Sequence, residues 1–193
     1  MKKIEFGDVA SLENYEKIRP DVQRRVIEIK KRRRVQVGPK VSLLFENRDT
    51  VLYQIQEMVR TEHLRGRERI QEEMDVYNAL IPADGELSAT LFIEIEDSRK
   101  LPEELPKFIG IETAVSLQIG AASFTGAPDE IRRREDTTST VHYLTFRLGP
   151  AGRQALNNGH EDAFLVIAHP NYSQMVKLDP ACRAELAGDL RAS

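Results

Sequence analysis

Few residues in this chain are of types that do chemistry: four histidines, one cysteine, and some tyrosines and carboxylates set among basic residues. His142 has the most telling position. Within Val141–Leu148 it alternates in phase with Leu144, Phe146 and Leu148. A strand over these residues turns His142 to the core face and turns Tyr143, Thr145 and Arg147 the other way. An unpaired buried polar group costs about 1–3 kcal/mol. His142 is therefore either a hydrogen-bonded histidine of the core or sheet end, or a residue lining a pocket there. His169 ends the apolar run Phe164–Ala168 in His169-Pro170-Asn171-Tyr172. A ligand role is open to it, and turn chemistry at Pro170 explains the same segment.

A second group precedes and occupies a helical stripe. Glu46-Asn47-Arg48-Asp49 stands before Val51, Leu52, Ile55, Met58 and Val59. Helix N-termini bind anions through free N–H groups, and Arg48 could assist. Capping and ion pairing account for the same residues. Tyr53 and Glu57, flanked by Gln54, could line a groove against a following helix bearing Glu72, Glu73 and Tyr77. Arg48, Tyr53, Glu57 and His142 are thus the candidate ligand-binding residues, at the junction of helices and sheet.

The basic run Lys30-Lys31-Arg32-Arg33-Arg34 is a candidate phosphate site, because clustered cations release condensed counterions. Basic residues at a helix C-terminus also complement its dipole. The run has no interleaved aromatics to stack bases, and the net charge is −3, so nucleic acid is not an expected partner. The charge is uneven: the first 82 residues carry 17 basic and 14 acidic side chains, the remainder 11 and 17.

Other chemistries lack their residues. A di-iron bundle needs Glu-x-x-His on a helix, and neither helix of the groove has it. Glu62 and His63 are adjacent and so diverge. One cysteine, Cys182, excludes an internal disulfide and any multi-cysteine zinc or iron–sulfur site. It would be the third residue of the last helix, where the dipole can lower a thiol pKa. There is no Gly-rich phosphate loop, G-x-S-x-G or H-E-x-x-H. No metal and no cofactor is expected, and whether the chain is an enzyme stays open.

The elements that must position these residues change character along the chain. A length of 193 residues suits one domain with a real core. Leu12, Tyr15 and Ile18 mark a first helix; Pro20 suits the first position of a second, with Val22, Val26 and Ile29 as its stripe. Val35–Val37 and Val41–Phe45 are short strands. A third helix runs from an Asn47 or Asp49 cap to about Glu62, and a fourth over about Arg67–Leu80. The turn Ile81–Gly85 follows. Then the period becomes alternating: Leu87 to Ile95 reads as a half-buried strand. Pro102 and Pro106 mark a connection with at most one helical turn. Val115–Ile119, Ala121–Thr125, Val141–Leu148, Phe164–Ala168 and Gln174–Leu178 are further strands, with a short helix to about Leu156. Asp179-Pro180 opens a C-terminal helix. The pattern predicts an α+β fold, a helical layer over about 8–82 packed on a mainly antiparallel sheet or sandwich over about 86–178, as a single domain.

Five segments, PDVQRRVIEIKKRRRVQVG (20–38), LLFENRDTVLYQIQEMVR (43–60), IQEEMDVYNALIP (70–82), ATLFIEIE (89–96) and TSTVHYLTFRL (138–148), together resemble an uncharacterised bacterial family, domain of unknown function 3501. The likeness covers most of the chain and is most specific in ENRDTVLYQIQEM. It transfers no activity and no site residues. It implies a genomic association with rubrerythrin-like and iron–sulfur redox proteins, and hence a redox or peroxide-stress setting in which any iron belongs to a partner.

Two functional classes follow. One is a non-catalytic accessory or interaction protein for a redox partner, with a homodimer through the N-terminal helices as one form. The other is an enzyme or small-ligand binder with a pocket near His142. Met1–Asp8 has basic residues but no apolar run behind them, and no segment approaches the roughly 18 apolar residues of a membrane span. The cytoplasm is the expected location, with no membrane partner.

Overall fold

The structure is a computed structural model and describes residues 1–129 and 138–191. Helix α1 (Leu12–Arg33) starts where the Ser11 hydroxyl accepts from the Asn14 N–H. It does not divide at Pro20: one helix of 22 residues runs through. A proline inside a helix removes one i→i−4 bond, but here its ring faces solvent. Packing holds the helix on both sides, through Tyr15 before the proline and through Val26 and Ile29 after it.

Strands β1 (Arg34–Gln36) and β2 (Val41–Glu46) form a hairpin. Helices α2 (Arg48–Thr61) and α3 (Arg67–Asn78) follow. Asn47 caps α2: its Oδ1 accepts from the Thr50 N–H at 3.0 Å, and Thr50 Oγ1 accepts from the Asn47 N–H at 3.0 Å. After the turn at Gly85 come β3 (Glu86–Ile93), the one-turn helix α4 (Leu101–Glu104), β4 (Val115–Ile119), β5 (Ala122–Pro128) and β6 (Val141–Arg147). The chain ends in α5 (Gly149–Asn158), β7 (Ala163–His169), β8 (Tyr172–Lys177) and α6 (Pro180–Arg191). The connection around Pro102 and Pro106 holds more than the single turn expected. Short 3-10 turns at Ser98–Lys100, Leu105–Phe108 and Ile111–Thr113 flank α4.

All strand pairs are antiparallel, in the order β1-β2-β3-β6-β5-β4-β7-β8. The fold is α+β. Strand β5 serves two neighbours: residues up to Thr125 pair with β4, and Gly126 onward pairs with β6. The sheet bends there, and a Cβ on Gly126 would lie 3.1 Å from the Phe146 ring. At the far edge the Tyr172 hydroxyl donates to Val37 O at 2.7 Å and accepts from the Lys40 N–H at 3.1 Å. Those two bonds bring β8 back to the β1–β2 turn, so the sheet is a nearly closed barrel.

Alternate residues fill its interior, among them Leu43, Leu91, Phe146, Leu117 and Leu165. Leu186 and Leu190 of α6 pack on the same core. Each fully buried leucine or phenylalanine contributes about 1.5–3 kcal/mol. A second core, of Val51, Ile55 and Val59 on α2 with Met74 and Ile81, lies under the N-terminal helices, and Tyr143 on the outer face of β6 packs against it. Strand β3 is accordingly not half-buried. Ser88 and Thr90, which alternate away from the barrel, are 5 % and 3 % exposed because the helical layer covers them. β2 is buried on both faces for the same reason.

Candidate functional site

The layer between α1, α2 and the outer face of the sheet concentrates polar groups. Glu57 on α2 lies opposite α1. Arg19 grips it with two donors, Nε at 2.8 Å and Nη2 at 2.9 Å. The Tyr15 hydroxyl donates to the same carboxylate at 2.7 Å. Arg19 holds the Glu57 carboxyl below its ordinary pKa, aided by Tyr15. Burial, together with the bond to Glu57, raises the Tyr15 phenol.

One turn back on α2, Tyr53 carries the Lys30 ammonium over its ring, 5.0 Å from the centroid. Burial lowers the Lys30 amine, with Glu46 acting against that shift. Glu46 ends β2 and is 1 % exposed. Its carboxylate accepts from Thr50 Oγ1 at 2.5 Å, Thr90 Oγ1 at 2.6 Å and Gln54 Nε2 at 3.2 Å. Three donors satisfy an anion that burial alone would penalise, and the nearby N-terminus of α2 favours negative charge.

Beside this layer a half-open cleft of about 160 Å³ runs between α1, α2 and the N-terminal segment. Tyr15, Ile18, Val22 and Val26 form one wall, Leu52 and Tyr53 the other. Gln56 lines it too, with its amide paired to both backbone groups of Ala10, at 2.9 and 3.0 Å. Two ion pairs stand at the rim: Arg25–Asp49 at 3.1 Å and Arg48–Asp8 at 2.5 Å.

Of the residues singled out in the sequence, Arg48, Tyr53 and Glu57 share α2. Arg48 pairs with Asp8, Tyr53 walls the cleft, and Glu57 is bound by α1. His142 does not join them. It lies on the other face of the sheet, opposite Leu91. There Nε2 is 2.8 Å from Ser139 O and 3.0 Å from Thr138 Oγ1, and Nδ1 is 3.9 Å from Glu112. Burial lowers its pKa, opposed by Glu112.

The basic run is divided among separate partners. Lys31 pairs with Glu28, Arg32 with Glu185, Arg33 with Asp189 and Glu185, and Arg34 with Glu94. His169 Nε2 donates to Ile109 O at 2.9 Å while Nδ1 accepts from the Asn171 N–H, which ties the β7–β8 turn to the preceding connection. Cys182 is fully buried and burial pushes its thiol up to about 12, overriding the helix dipole. Among the described residues no group of three or more His, Cys, Asp or Glu could hold a metal ion, and no helix is long and apolar enough to cross a membrane.

Thr50, Thr90, Tyr15 and Arg19 are not evident as site residues from the sequence, and Glu46 is evident only as part of the segment before α2. In that segment, Glu46–Asp49, capping and ion pairing account for it; Thr90 alternates with apolar residues and suggests solvent. The signal was parity: Ser42, Glu46 and Thr90 all lie on one face of β2 and β3.

The profile of the family described as "Protein of unknown function (DUF3501)" matches residues 3–190. The chain belongs to the DUF3501 family. A solved relative is similar over nearly all of this DUF3501 chain: the crystal structure of a novel protein of unknown function from Burkholderia pseudomallei K96243. It is 37 % identical, the match covers 98 % of this chain and 100 % of that one, and the TM-score is 0.93. No curated protein matches the sequence.

Proposed function

We propose that this DUF3501 protein is a non-catalytic interaction protein that receives an apolar side chain of a partner protein in the α1–α2 cleft. The cleft itself carries this reading. Its walls are apolar, and its volume of about 160 Å³ is below the ~300–1,000 Å³ of pockets that enclose a cofactor or drug-sized ligand. It is the size of an anchor pocket, where one buried side chain dominates an interface. Ile18 at its edge is 47 % exposed. The polar groups around it are paired with one another: Arg19 and Tyr15 with Glu57, Arg25 with Asp49, Arg48 with Asp8. A redox or peroxide-stress partner, as the family resemblance implies, is the setting we propose for it.

The test is site-specific cross-linking in cells. A photo-reactive residue in place of Ile18 is compared with one in place of Met175, which is 64 % exposed on β8. The expected result is a discrete protein adduct from position 18 that is absent from position 175 and is lost when Leu52→Arg fills the cleft. Equal, diffuse labelling from both positions, or an adduct indifferent to Leu52→Arg, overturns the reading.

A further inference from the structure

We propose that the side chain received by the α1–α2 cleft is a phenylalanine, and that it comes from a different protein and not from a second copy of this chain; the proposal rests on the docking role given above. Size is the first argument. An apolar cavity of about 150 Å³ accepts a benzene ring, and the cleft measures about 160 Å³. The larger ring system of tryptophan needs more room and brings an N–H that requires an acceptor.

The floor of the cleft rejects a polar tip. Tyr15, Val26 and Gln56 form it, and all three are buried. The Tyr15 hydroxyl donates to Glu57. The Gln56 amide accepts from the Ala10 N–H and donates to the Ala10 carbonyl. A tyrosine entering ring first would bury its hydroxyl against groups that already have partners, which is unfavourable. The charged pairs Arg25–Asp49 and Arg48–Asp8 stand at the rim instead, where the partner's backbone lies. Tyr15 and Tyr53 also line the cleft. Aromatic pairs gain beyond simple apolar burial, so these two rings favour phenylalanine over leucine or isoleucine.

This chain has no such ring to offer a second copy of itself. It has seven phenylalanines, five tyrosines and no tryptophan. All of them lie among the described residues, and none is exposed. The exposed large hydrophobic residues are Ile18, Ile27, Val76, Ile109 and Met175, none of them aromatic. A two-fold dimer would have to fill each cleft from the other protomer's own surface. The ring therefore belongs to another protein.

The experiment is a methyl NMR titration of the full chain with toluene, p-cresol and cyclopentane, which stand for phenylalanine, tyrosine and an aliphatic side chain. Toluene is expected to shift the Val22, Val26 and Leu52 methyls saturably. It should bind at least about fivefold more tightly than p-cresol and at least about twofold more tightly than cyclopentane. Leu52→Arg and, on the facing wall, Val22→Arg should each abolish these shifts; either variant suffices if it keeps native-like dispersion. Neither should change the oligomeric state measured by sedimentation. The proposal is overturned if p-cresol or cyclopentane binds as tightly as toluene, or if toluene gives no saturable shift. It is overturned equally if the shifts survive in a folded variant, or if the chain forms a dimer that either variant splits. Failure with toluene while the cross-linked adduct from position 18 persists removes phenylalanine and leaves the docking role standing; absence of that adduct removes both.

Discussion

Arg33 on α1 and Asp189 on α6 form a bidentate ion pair inside the protein, with both N–O distances 2.7 Å. The arginine is 1 % exposed, and Glu185 meets the same guanidinium at 3.2 Å. The pair locks the first helix to the last, and the last helix packs on the barrel core. Removing Asp189 takes away the bidentate partner and leaves the buried guanidinium with the longer Glu185 contact alone, so Asp189→Ala is expected to cost up to about 3–5 kcal/mol in urea unfolding. The double variant Arg33→Met, Asp189→Leu should recover most of that loss, because it strands no charge. A single-variant loss below about 1 kcal/mol would contradict a desolvated pair.

Glu57 makes the stability of the helical layer depend on acid. Arg19 holds its folded-state carboxyl below the ordinary value. A depressed carboxyl pKa contributes stability above the unfolded pKa and loses it as pH falls through the folded one. Glu57→Gln is therefore expected to lower the melting temperature at neutral pH. It should also flatten the decline of melting temperature on acidification below about pH 4.5. Parallel curves for the two proteins would show that Glu57 carries no such linkage.

The elements were legible where one local rule decided them. Asn47 capped α2, Gly66 preceded α3, Asp179 capped α6, and the β6 alternation put His142 inward and Tyr143 outward, as the spacing predicts. What depended on the other layer was not legible. Pro20 suggested a helix boundary because local sequence does not show Tyr15 and Val26 anchoring the two sides. Ser88 and Thr90 suggested solvent because alternation states which residues share a face and not what covers it. The candidate site inherited that blindness. Tyr53 and Glu57 could be paired by helical spacing alone, whereas Arg19 and Glu57 are 38 residues apart and Glu46 meets Thr90 across 44. The sequence places His142 with Tyr53 and Glu57 at the junction of helices and sheet, but the register opposite Leu91 puts it on the face that α2 does not touch.

Barrel closure rests on the Tyr172 hydroxyl. Tyr172→Phe removes the donor to Val37 O and the acceptor of the Lys40 N–H together, which should cost about 1–3 kcal/mol. Amide exchange should accelerate first at Lys40. Gly38→Ala attacks the same contact from the other side: φ is +72°, and a Cβ would fall 2.6 Å from that hydroxyl. It is expected to destabilise by more than the ~1 kcal/mol of a left-handed alanine alone. Unchanged Lys40 exchange in both variants would mean that β8 is held by its pairing with β7 only.

Cys182 tests whether burial or position governs a side chain at a helix start. Asp179 accepts the Cys182 backbone N–H at 2.8 Å, which places the thiol in the first turn of α6. The helix dipole there favours a thiolate, yet the side chain is 0 % exposed and sits in the barrel core with Leu186 and Leu190. Desolvation dominates and pushes the thiol up to about 12. The folded protein should therefore be inert to an aromatic disulfide reagent at mildly alkaline pH and should release one equivalent of thiol on unfolding in guanidinium. Prompt reaction of the folded protein would show that α6 opens readily, in which case Asp189→Ala should accelerate it further. If α6 stays closed, the same variant should be what first exposes the thiol, because the Arg33 pair and the core around Cys182 hold the same helix in place.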